Sequence, residues 1–221
     1  MKLPDLTKRC AIAAFFAVGV AVNAVGIYPG QWAGPSIDAG PGGSAQQVDV
    51  EIKERKVDVT GFQWEAEVTS RVYSNYASNP WVQAGGLGYT FEYTLSNVGG
   101  GAFGESGLGI LSATFTENVG ELNIGYRLPD GIGYMGAYMP DTGKGVTWVW
   151  AFGGLSKGQS SAIIVVHTPY KAYVRNAALV VGTGSGQAFE AWVPAVPEPS
   201  TYASLFALGL TGFAAYRRLR A

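Results

Sequence analysis

Alternation with a period of two dominates the middle of this 221-residue chain. Phe62, Trp64, Ala66 and Val68 interleave with Gln63, Glu65, Glu67 and Thr69. Successive side chains of a strand point to opposite faces, so this segment predicts a strand with one buried face. Leu87, Tyr89, Phe91, Tyr93 and Leu95 repeat the pattern up to the Ser96-Asn97 turn signal, where the strand is expected to end. Shorter apolar runs lie at 48–52, 110–115, 122–126, 147–152, 162–167, 177–181 and 188–193. Between the runs stand Gly99-Gly100-Gly101, Pro129-Asp130-Gly131, Asp141-Thr142-Gly143 and Gly182-Thr183-Gly184-Ser185-Gly186, all turn chemistry. No sustained 3.6-residue stripe interrupts them. Short strands punctuated by glycine predict an all-β domain over 47–195, with two antiparallel sheets packed face to face as a β-sandwich of the Ig-like or jelly-roll type.

The two ends break this rhythm. Lys2, Lys8 and Arg9 precede an uncharged run at 11–22, and Val22-Asn23-Ala24 offers the small-residue pattern that signal peptidase accepts. Residues 1–24 therefore read as a signal peptide, its apolar run a signal helix, cut after Ala24. No twin-arginine pair precedes the apolar run, which favours the Sec translocon. A retained signal anchor is the competing reading, and the shortness of the run argues against it. Cys10 follows Thr7-Lys8-Arg9, which lacks the small and apolar residues of a lipoprotein box.

At the other end, Pro197 and Pro199 fix their own φ and push the residues before them out of the α region, so 196–199 is expected to be extended. Ser200 or Thr201 can then cap a helix over the fifteen uncharged residues from Tyr202 to Tyr216. Such a helix is roughly 22 Å long against a hydrocarbon core of ~30 Å. Arginine snorkelling and the interfacial preference of Tyr202 and Tyr216 make up the difference, which predicts a transmembrane helix. Arg217, Arg218 and Arg220 then stop the segment and place the C-terminus in the cytoplasm.

The ordered series of Pro197-Glu198-Pro199, an apolar helix and an arginine cluster resembles the PEP-CTERM sorting signal of Gram-negative bacteria, over about the last 25 residues. That resemblance implies recognition by an exosortase, a membrane-embedded protease-transpeptidase, and removal of the helix. It further implies an inner-membrane precursor, a mature form at the cell surface or outside the cell, and company with exopolysaccharide and biofilm systems. Leu155-Ser156-Lys157-Gly158-Gln159-Ser160-Ser161 looks like the turn that leads into a penultimate sandwich strand in many such proteins. The sorting signal occupies 196–221. Residues 25–46, rich in Gly and Pro, are expected to form a flexible arm that Tyr28 and Trp32 can dock on the sandwich.

Composition narrows the chemistry. Loss of the signal peptide removes Cys10, the chain's one cysteine, so the mature protein is expected to have no disulfide and no thiolate metal site. Between 25 and 196, nine Lys and Arg stand against fourteen Asp and Glu, a net charge of minus five that offers nucleic acid no basic surface. His167 is the sole histidine, so neither a His pair for metal nor a serine-protease-like constellation is drawn around it, and a structural or solvent-facing place at a strand end is expected. Glu65 and Glu67 share a face at a spacing near that of glycosidase carboxylates, yet alternation assigns that face to solvent. Asp49 and Glu51 read the same way. Gly182-x-Gly184-x-Gly186 lacks the dinucleotide spacing and leads into Phe189 and Trp192, so it is a hairpin turn. Gly104-x-x-Gly107-x-Gly109 lacks a phosphate-loop lysine, and Asp141-Thr142-Gly143-Lys144-Gly145 has too few carboxylates for calcium.

Trp148 and Trp150 lie two apart on one strand face, about 7 Å from each other. Exposed, they would form a platform for stacking on sugar rings; buried, they fill the core. Two readings follow. The first is a non-enzymatic exported surface or matrix protein with no cofactor. The second is a carbohydrate-binding module delivered by the same route. Exposure of these two indoles separates them.

Overall fold

The computed structural model describes residues 24–58, 64–100, 108–127, 131–150, 154–182 and 185–196, together with Ala207, Leu208, Leu210, Phe213 and Tyr216. The fold is all-β and its paired strands run antiparallel. One sheet has seven strands: β1 (Val25–Ile27), β8 (Leu122–Arg127), β11 (Ile163–His167), β6 (Tyr89–Gly100) and β5 (Trp64–Ser74) in that order, with β3 (Gln46–Gln47) and β4 (Ile52–Asp58) both on the far edge of β5. The other has six: β13 (Ser185–Pro194), β12 (Tyr173–Gly182), β7 (Leu108–Thr114), β10 (Gly145–Val149), β9 (Gly136–Tyr138) and β2 (Trp32–Ala33). A single helical turn, α1 (Pro80–Gln83), is started by Asn79, whose side chain accepts the N–H groups of Trp81 and Val82.

One hydrophobic core joins the sheets. Trp64, Ala66 and Val68 of β5 and Phe91, Tyr93 and Leu95 of β6 meet Leu111, Trp148, Phe189 and Val193 from the second sheet. The Tyr93 and Trp148 rings lie 5.8 Å apart across the interface. The alternation in β5 is as the sequence predicts from Trp64 onward, while Phe62 and Gln63 lie outside the described residues. The Gly182 turn joins β12 to β13 as a hairpin, with Gly182 opposite Ser185.

Several boundaries move. The Ser96-Asn97 signal does not end β6, because Ser96 and Asn97 pair with Glu67 and Ala66, and the strand runs on to Gly100 around a bulge. Gly99 serves close approach here rather than a turn, since a Cβ on it would meet Glu65 Oε2 at 3.1 Å. The strand expected at 48–52 is displaced to Ile52–Asp58, whose charged side chains suit a sheet edge and hide it from a search for apolar runs. The turn at Lys157 and Gly158 leads into β11, two strands before the last of the described ones rather than one.

The Gly/Pro-rich segment is no loose arm. Its β1 pairs with β8, its β2 pairs with β9 in the opposite sheet, and Asp38 N–H and Ser36 C=O then bond Tyr126 on the free edge of β8. The chain crosses the outer face of the first sheet and joins β5 through β3. Unpaired strand edges are costly, and this strap covers them at both ends of the sheet. Ile27 and Ala33 dock it, whereas Tyr28 and Trp32 stay exposed, Trp32 at 67%. Among the described residues no helix is long and apolar enough to cross a membrane. Ala207, Leu208, Leu210, Phe213 and Tyr216 are helical and exposed.

Candidate functional site

Polar groups collect where the strap crosses β6 and β11. Thr90 and Glu92 lie on the face of β6 opposite the core, which alternation assigns to solvent, yet both are buried. His167 closes β11 beside them with no exposed surface. Its Nε2 lies 2.7 Å from Asp38 Oδ2 and its Nδ1 2.9 Å from Thr90 Oγ1. Asn79 Nδ2 donates to Thr90 Oγ1 at 3.2 Å, and Ser78 Oγ donates to Asp38. The Gly40 N–H also donates to Asp38 Oδ1, at 2.7 Å. Beside this chain, the Tyr76 hydroxyl donates to Glu92 at 2.7 Å, and Arg127 pairs with the same carboxylate oxygen.

Burial pushes the Asp38 carboxyl up, but the hydrogen bond and charge of His167, with the Ser78 hydroxyl and the Gly40 N–H, outweigh it and hold Asp38 below the usual carboxylate range. An ionised carboxylate only accepts, so His167 Nε2 carries the proton between them. Acid, imidazole and hydroxyl stand in the order of a catalytic relay, but every member is sealed. Their placement fastens the strap to the sheet and takes the structural branch of the expectation for His167. Asp38, Thr90 and Glu92 escape sequence reading because 129 positions separate Asp38 from His167; the Asx-turn spacing of Asp38 and Gly40 is the one local hint.

The other candidates resolve singly. Glu65 and Glu67 lie on the outward face of β5 beside β4, where Arg55 Nε donates to Glu65 at 2.6 Å and Lys53 pairs with Glu67 at 2.9 Å. The Arg55 hydrogen bond holds the Glu65 carboxyl below its usual range. Asp49 accepts from the Tyr173 hydroxyl at 3.2 Å, and Glu51 pairs with Arg71. Trp148 is fully buried and Trp150 is 4% exposed, which withdraws them as a sugar platform: an indole packed among Tyr93 and its neighbours offers no free face. The Trp150 indole N–H instead donates to the Ile132 carbonyl. No group of three His, Cys, Asp or Glu is placed to hold a metal among the described residues.

Both expected processing points lie next to the described fold in sequence. Ala24 is buried, and Val25, the residue after it, opens β1. At the other end β13 stops at Pro194, Ala195 N–H donates to the Ala172 carbonyl at 3.1 Å, and Val196 packs against the core. Pro197, Glu198, Pro199, Arg217, Arg218 and Arg220 lie outside the described residues.

Comparison with the curated proteins and with the solved structures found no match. A family model does match, and its span begins one residue after β13: over residues 195–220 the chain carries a PEP-CTERM protein-sorting motif.

Proposed function

We propose that this chain is an exported, non-enzymatic protein processed by an exosortase, whose sandwich of the Ig-like or jelly-roll kind is displayed at the cell surface or in the surrounding matrix. The observation that carries the reading is the abutment of motif and fold, since the sorting match starts at Ala195 while β13 ends at Pro194. A cut at 197–199 separates an entire domain from its tail and costs that domain no strand. Leu208, Leu210 and Phe213 are helical with more than half their surface exposed, so they remain free for a bilayer rather than being spent in the core.

The precursor, in this reading, enters through the Sec translocon, loses residues 1–24 to signal peptidase, and is held in the inner membrane with Arg217, Arg218 and Arg220 on the cytoplasmic side. Engagement of Glu65, Glu67 and His167 in internal pairs supports a displayed rather than a catalytic domain. Association with exopolysaccharide and biofilm is the setting that the sorting motif brings to this proposal. The test is mass spectrometry of the extracellular form: an N-terminus at Val25 and loss of the apolar tail are expected, and an exported chain that keeps residues 202–220 overturns the reading.

A further inference from the structure

We infer that the end of the domain around Val196 is a lipid-docking surface, pressed against the bilayer in the membrane-held precursor. This rests on the reading of the terminal segment as a membrane anchor. Val196 is packed on the core, and six Cα-to-Cα steps separate it from Tyr202, where the expected apolar helix begins. Six extended steps reach at most about 20 Å. The headgroup layer takes roughly 5–8 Å of that on each side of the hydrocarbon. At most about 12–15 Å of reach is left beyond the headgroups, so the part of the domain nearest Val196 is the end held toward lipid.

The residues around that exit suit the position. Tyr173 pairs with Pro194, and its ring lies 5.5 Å from Tyr89 and 5.2 Å from Trp192. Trp192 Nε1 donates to the Val50 carbonyl at 2.8 Å, and Tyr89 N–H donates to the Tyr170 carbonyl. Val50 is 73% exposed, and Leu87, two residues before Tyr89, is 62% exposed. Protruding aliphatic side chains beside a group of tyrosines and a tryptophan are what a water-to-lipid boundary selects. Lys171, exposed on the same rim, supplies a cation for phosphate headgroups. The opposite end of the domain carries the polar turn Ser156-Lys157-Gly158, which bonds Asn97 at the far end of β6.

The full chain, with Cys10→Ser, is labelled through Val50→Cys, Leu87→Cys or Lys157→Cys with an environment-sensitive dye and inserted into vesicles of phosphatidylethanolamine and phosphatidylglycerol. A quencher carried on the lipid is expected to dim the dye at positions 50 and 87 several-fold more than at 157. Equal quenching at all three positions in a chain that resists carbonate extraction overturns the docking surface and leaves the anchor standing. A chain that carbonate removes from the vesicles overturns both.

Discussion

Asp38 and His167 meet at 2.7 Å with both side chains sealed from solvent, although 129 positions separate them in the chain. The contact joins the N-terminal strap to the last residue of β11. It converts a Gly/Pro-rich segment with few apolar anchors into part of the fold.

Breaking this pair strands a buried polar group. Asp38→Ala is expected to lower unfolding free energy by about 1–3 kcal/mol, the usual cost of leaving buried hydrogen-bonding groups unpaired. Urea titration of the exported form measures it. A double-mutant cycle with His167→Gln separates the pair's coupling from the loss of Ser78 and Gly40 contacts.

The same carboxyl sets an acid limit. Asp38 is held below its unfolded value, so its contribution to stability is full above about pH 4, the unfolded carboxylate range, and is lost as pH falls through the folded value. Thermal melts between neutral pH and pH 2 are expected to show a steep loss at the acid end. Asp38→Asn flattens that part of the profile, and an unchanged slope contradicts the assignment.

Tryptophan substitutions separate core from surface. Trp148→Ala is expected to cost about 3–5 kcal/mol, because the large void left beside Tyr93 closes only partly. Trp32→Ala, at an exposed edge position, is expected to cost within about 0.5 kcal/mol. Comparable losses in chemical denaturation contradict the burial pattern.

Ser70 guards the free edge of the second sheet. Among the described residues no strand pairs with β13 on the side away from β12, and the Trp192 N–H donates instead to Ser70 Oγ of β5 at 2.9 Å. Ser70→Val leaves this N–H unpaired, at an expected cost of about 1–3 kcal/mol. Faster aggregation should accompany the loss, as an uncovered edge templates strand addition; light scattering of the variant reads it.

Sorting has its own variants. Replacement of Glu198 or deletion of 217–220 is expected to leave precursor with its C-terminal segment uncut in the inner-membrane fraction. Normal processing of both, followed by immunoblot of membrane and medium, speaks against exosortase recognition.

Local pattern determines much of this protein by itself. The two-residue alternation of β5 and β6, the hairpin at Gly182 and the sorting segment are all legible in sequence, because each depends on neighbours within a few positions. Neighbouring positions do not reveal β4, since a charged edge strand has no apolar run, nor the continuation of β6 through Ser96-Asn97, which pairing with β5 imposes. Tertiary structure alone buries Thr90 and Glu92, brings Asp38 to His167 and closes the indoles of Trp148 and Trp150 inside the core. Alternation says only that two faces differ. Which face water reaches depends on what distant chain is laid across it, and here that is the strap from residues 25–47.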